Sequence, residues 1–263
     1  MKIKETKNKD DLEVNKVTMH CDTPLCDNKG RTPPFPLVCN SGFSYIINGF
    51  SGSGKTTLLI NLLTKKNRKN KKMSYRGCFD KILFVSPSAH TIGNKDIQDL
   101  DNKFENLDHE LMEKIEDMTD KNAEEEEPEQ ILLVLDDVGQ YLRADRSLET
   151  RIGALVANRR HRHLSIIVIS QNLMMIPPVL RKNQNLIITF LPKTKQEKDI
   201  IHKEFCDMHI NEFNELIHYI FQDKRDFMII DCSLRNSAKI EFFRNFNKLD
   251  FMTKVDEELE KCD

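Results

Sequence analysis

Residues 43–64, FSYIINGFSGSGKTTLLINLLT, constrain this chain more than any other stretch. An apolar β-like run enters a glycine turn, and LLINLL at helical spacing leaves it, so the backbone passes from strand to helix through a tight loop. Within it, GFSGSGKT at 49–56 fits G-x-x-x-x-G-K-[ST]. Gly52 and Gly54 allow backbone N–H groups to turn inward around phosphate oxygens, with Gly49, Ser51, Ser53 and Thr57 completing the cradle. Lys55 is placed to reach the β- and γ-phosphates, and the Thr56 hydroxyl to bind Mg²⁺. The helix starting near Lys55 adds the partial positive charge of its N-terminus. A strand before the motif and a helix after it imply an α/β fold, a mostly parallel central sheet flanked by helices, with nucleotide at its carboxyl edge.

Residues 131–137, ILLVLDD, form the second chemical element. The apolar run buries a strand, and the carboxylates emerge at its end. Asp136 is expected to hold the Mg²⁺ shell and Asp137 to polarise the attacking water. Further buried strands are expected at 81–86 (KILFVS), 164–170 (LSIIVIS) and 186–190 (LIITF), with terminal strands at 226–231 (DFMIID) and 239–243 (KIEFF). Gln171 ends one of these strands and is a candidate γ-phosphate sensor, with Asn172 the runner-up.

A helix over 147–162 follows from the single face carrying Leu148, Ile152, Leu155 and Val156. Its last turn carries Arg159, Arg160, His161 and Arg162, which either offset the helix dipole or supply an arginine finger to a neighbouring subunit. Pro177 and Pro178 break a loop or short helix at 172–185 that leaves Arg181 exposed to nucleotide or neighbour. Residues 193–220 read as helical, with His202, Cys206 and His209 on one face as packing residues rather than a zinc site.

The 263-residue chain balances 40 Lys+Arg against 42 Asp+Glu, a net charge of −2, so contact with nucleic acid must come from local clusters. One cluster is KKNRKNKK at 65–72, either a solvated loop or a phosphate-backbone contact. The seven cysteines are scattered without a C-x-x-C pair, which suits reduced thiols; Cys21, Cys26 and Cys39 with His20 fit no common zinc finger. No apolar run is long enough to span a membrane, and the Lys-rich start lacks a signal-peptide centre. The expected organisation is an irregular lead-in at 1–40, an ATPase domain at 41–245 with a helical and acidic insertion at 91–128, and a charged tail at 246–263.

A strand standing between the P-loop strand and the acidic strand marks the class of P-loop enzymes that hydrolyse ATP with a dedicated acidic base. The composite of NGFSGSGKTTLL, ILLVLDD, RHRHLSIIVISQ and IPPVLRKN resembles the packaging ATPases of nucleocytoplasmic large DNA viruses, poxviruses included, and of virophages. These belong to the FtsK/HerA superfamily of RecA-like, ASCE-type P-loop NTPases. Arg160, His161, Ser165, Gln171 and Arg181 match that pattern, whereas Asp137 stands where many members have Glu. The resemblance implies an oligomeric ring, often a hexamer, that binds ATP and Mg²⁺ and drives double-stranded DNA into a preformed capsid. Its partners would be capsid or portal-vertex proteins, in the host cytoplasm or virus factory or with the virion. It also implies a trans-acting arginine, Arg160 first and Arg181 second. Rival readings are another DNA pump or helicase-like translocase of the superfamily, a nucleotide-gated assembly scaffold and a small-molecule kinase.

Overall fold

The computed structural model describes residues 23–33, 36–37, 40–64, 75–89, 98, 100, 102–233 and 240–251. The basic run at 65–72, the acidic end of the tail, and His20, Cys21, Cys39 and Cys262 lie outside them.

Among the described residues, nine strands form one sheet in the order β3-β2-β4-β5-β1-β6-β7-β8-β9. Six pair in parallel: β1 (Ser44–Asn48), β2 (Lys81–Val85), β3 (Lys103–Phe104), β4 (Ile131–Asp136), β5 (Leu164–Ser170) and β6 (Leu186–Phe190). The last three, β7 (Phe227–Asp231), β8 (Glu241–Arg244) and β9 (Asn247–Leu249), extend it antiparallel. The strand between the P-loop strand and the acidic strand is β5, which pairs Ser170 with Asn48 on one side and Ile169 with Asp136 on the other. Neither β3 nor β9 was expected from sequence, because each is too short to show an apolar period.

Alternation along β1 divides the core. Ile46 faces a cluster fed by α2 (His109–Ala123), α4 (Arg146–Asn158), α6 (Lys195–Phe205) and α7 (Ile210–Ile220). Tyr45 and Ile47 face a second cluster under α1 (Lys55–Thr64), completed by Leu25, Leu37, Tyr75 and Cys78. With both faces covered, the central strands are buried along their whole length and mostly apolar, as parallel strands tend to be. The proline-rich segment before β1 therefore contributes to the core, and Leu25 is fully buried.

Two short helices lie after β4 and before β6, α3 (Gly139–Ala144) and α5 (Pro178–Lys182), the latter starting on a proline that needs no N–H partner at that position. The single helical stretch expected over 193–220 is two helices. Cys206 ends α6, and His209 opens α7 with a capping box closed by Glu212. His202 Nε2 lies 2.9 Å from the Met208 carbonyl in the connection, so the three residues serve the break between the helices.

Asp226 ties the β7 edge together. Its buried carboxylate accepts from the backbone N–H of Gln222 (3.1 Å) and Asp223 (2.8 Å), Arg244 Nη2 (2.8 Å) and Asn245 Nδ2 (3.1 Å). Burial pushes its pKa up, but these donors prevail and hold it at about 2. A depressed folded pKa gives stability that is present above the unfolded value and lost as pH falls through the folded one. Asp226→Asn should lower the thermal midpoint at pH 7, and the gap from wild type should close between about pH 4 and pH 2. Thermal denaturation across pH reads both.

Candidate nucleotide site

The loop between β1 and α1 has the conformation its glycines permit, with Gly52 at φ +76° and Gly54 at φ +113°. Gly49 is required for space, since a Cβ there would stand 2.7 Å from Cβ of Phe190 and 2.9 Å from Ser53 Oγ. Lys55 Nζ folds back to donate to the carbonyls of Gly49 (2.6 Å) and Phe50 (3.1 Å). Burial pushes its pKa down, while Asp137 and Asp136 pull it up, so both acids act on this ammonium. Ser53 Oγ is buried without a hydrogen-bond partner among the described residues. A loop turned by glycines at positive φ, an unsatisfied hydroxyl and a desolvated ammonium suit a polyphosphate. Thr56 is half-buried and Ser51 and Thr57 are exposed along the same loop and first helical turn.

The two carboxylates part company at the end of β4. Asp136 is buried and accepts a 2.9 Å hydrogen bond from Ser86 Oγ. Burial pushes its pKa up to about 6, against the bond from Ser86. Asp137 adopts φ +54°, a left-handed conformation that Asp tolerates better than most residues. That turn aims it at Gln171, whose Nε2 donates to Asp137 Oδ2 at 2.7 Å. The parallel register delivers this meeting, because β5 is the immediate neighbour of β4. Asn172 is instead committed to capping the short 3₁₀ turn at Leu173–Met175, where its Oδ1 accepts from Met174 N–H (2.9 Å).

The arginines separate by location. Arg159 is buried, donating to the Val156 carbonyl (2.7 Å) and to Asn185 Oδ1 (3.1 Å), and burial, helped by Arg160, pushes its pKa down to about 10. Arg162 binds Thr119 and Asp120 on α2. Arg160 and His161 are exposed. All four lie just before β5, at the sheet edge opposite the P-loop, where Gly42 (φ +68°) would place a Cβ 2.7 Å from the Arg160 Cα.

Arg181 differs from its expected exposure. It is buried, and its Nε and Nη2 form a bidentate pair with Glu204, both at 2.7 Å, while Nη1 donates to the Ile176 carbonyl at 2.5 Å. A guanidinium held at all three nitrogens docks α5 against α6, and that geometry disfavours a reach into a neighbouring subunit.

Ser86 was missed in the sequence. It ends KILFVS as Gln171 follows LSIIVIS, but only the pairing of β2 with β4 shows that it faces Asp136. Removing its hydroxyl leaves a buried carboxylate oxygen without that donor. Ser86→Ala should raise the Mg²⁺ concentration needed for half-maximal ATP hydrolysis about tenfold, and Ser86→Thr should largely restore it. Rates measured against Mg²⁺ concentration test both variants.

No curated protein matches the chain. Among solved structures, the genome packaging NTPase B204 from Sulfolobus turreted icosahedral virus 2, in complex with sulfate, is similar at 16% identity and a TM-score of 0.52, covering 81% of this chain and 100% of that one. The cytoplasmic domain of the type VII secretion ATPase EccC from Thermomonospora curvata is similar at 12% identity and a TM-score of 0.53, covering 88% of this chain and 29% of that one. The conjugation coupling protein TcpA of pCW3 gives 12% and 0.52, covering 84% and 65%. These likenesses carry the fold, a P-loop ATPase with a mostly parallel central sheet. The model of the poxvirus A32 protein family matches residues 37–242, which span the sheet from before the P-loop strand into β8, and the chain belongs to that family.

Proposed function

We propose that this chain is an ATP-hydrolysing motor that translocates double-stranded DNA into a viral capsid. The carrying observation is the convergence of Lys55, the Asp136 and Asp137 pair and Gln171 at one sheet edge, with exposed Arg160 at the other. Membership of the poxvirus A32 protein family supports the viral setting. The similar protein B204 is described as a genome packaging NTPase.

The P-loop N–H groups and Lys55 bind the phosphate chain of ATP. Thr56 and Asp136 would hold Mg²⁺, which when bound offsets phosphate charge and orients the β- and γ-oxygens. Asp137 takes a proton from the attacking water, and Gln171, already bonded to that carboxylate, holds it in place and reports the γ-phosphate. Arg160 lies about 20 Å from its own P-loop by strand length, too far to serve it. Any phosphate it stabilises belongs to a neighbouring subunit, which makes hydrolysis depend on a ring, hexameric in this reading. DNA threads that ring, and capsid or portal-vertex proteins seat it, in the host cytoplasm or virus factory. No described helix is long and apolar enough to cross a membrane.

ATP hydrolysis by the wild type should rise on adding long double-stranded DNA, whereas Lys55→Ala and Asp137→Asn should each lower it by about a hundredfold or more. Phosphorylation of a small acceptor without DNA would sink the motor reading. Arg160→Ala should cut turnover roughly a thousandfold while leaving ATP binding near the wild-type value. Mixing it with Lys55→Ala subunits should restore part of the rate, since some interfaces then join an intact arginine to an intact P-loop.

A further inference from the structure

The γ-phosphate end of the site is set by Asp136, Asp137 and Gln171 at the carboxyl ends of β4 and β5, so the nucleoside must leave the P-loop on its other side. A cavity of about 400 Å³ lies there. It runs from Gly52 and Thr56 along the first turns of α1, past Thr57 and Asn61, to Phe190, Arg225 and Phe227. Phe190 and Phe227 pack with ring centroids 5.6 Å apart and are nearly buried, giving an apolar wall. Arg225 is exposed and makes no ion pair or hydrogen bond among the described residues. It is nevertheless held in place, because the turn that carries it is pinned by the four hydrogen bonds to Asp226 and by Phe227 N–H donating to Asn245 Oδ1 at 3.1 Å.

A guanidinium with no partner, on a rigid turn beside an apolar aromatic wall, is suited to lie flat on a planar ring. We propose that this cavity is the nucleoside subsite and that Arg225 stacks on the nucleobase, with Phe190 and Phe227 as the wall behind it. The site would accept purine nucleoside triphosphates by ring face and not by base edge. Asn61 is the one lining residue with a side-chain amide, and its Nδ2 already donates to the Thr57 carbonyl at 2.7 Å. ATP and GTP should therefore bind alike, and Arg225 should govern the affinity of both while leaving the phosphates to the P-loop.

This inference rests on the nucleotide-binding part of the proposed function, and the test separates the two. Isothermal titration calorimetry of the full chain with Mg²⁺ and the non-hydrolysable analogues AMPPNP and GMPPNP should give dissociation constants within about threefold of each other. Lys55→Ala should abolish binding of both. Arg225→Ala should weaken both about tenfold, while inorganic tripolyphosphate, which has no nucleoside, binds the variant as it binds the wild type. Arg225→Lys should recover little, since an ammonium cannot stack as a plane does. Equal loss of tripolyphosphate affinity, or full rescue by lysine, would make Arg225 a phosphate contact and overturn the inference while leaving the motor reading intact. Unchanged analogue binding in Arg225→Ala, with an unchanged thermal midpoint, would overturn it as well. A wild type that binds neither analogue would overturn both readings.

Discussion

The parallel register of β4, β5 and β1 is the constraint on which the rest of the site depends. Backbone hydrogen bonds set Ser170 beside Asn48 and Ile169 beside Asp136, so three strands end at one level. The P-loop, the two carboxylates and Gln171 meet because of that alignment, although more than a hundred residues of chain separate the first from the last. Slipping one strand by a residue would turn its side chains to the opposite face and send Asp136 or Gln171 elsewhere. Each of these strands is buried along its whole length, so a slip would also misfit side chains packed closely on both faces.

Charge at this edge is held in tension. Asp136 is kept from water by the same burial that fixes β4, and the hydroxyl of Ser86 gives it one directed partner. Lys55 is likewise desolvated and, among the described residues, has only backbone carbonyls as hydrogen-bond partners. Groups burdened in this way gain from a ligand that supplies opposite charge, so stability is traded for a site ready to bind phosphate and cation. The opposite edge handles charge differently. Arg159 and Arg162 are consumed in joining the β5 entry to its surroundings, and they hold the segment from which Arg160 projects.

Much of this was legible without coordinates, and for a physical reason. The motif residues are local: Gly52, Gly54, Lys55 and Thr56 act within one loop, and the Asp136 and Asp137 pair ends one strand. The five longer strands after β1 announced themselves as apolar runs, since two-sided burial favours apolar residues on both faces. Short elements did not, and β3 and β9 are recruited by neighbouring edges, not by their own residues. Arg181 misled for a related reason. A charged residue beside two prolines reads as exposed, but a glutamate 23 residues later folds over it.

The sequence by itself determined the phosphate loop, the acidic strand and the α/β class, because each follows from residue types at short spacing. Only the tertiary structure decided which residues those elements meet. It set Ser86 against Asp136, turned Asp137 toward Gln171 and buried Arg181 against Glu204. It also brought Arg225 to the P-loop cavity from 170 residues away. Such pairings join distant strands, and a chain read in order carries no record of which strands will lie side by side until the sheet is assembled.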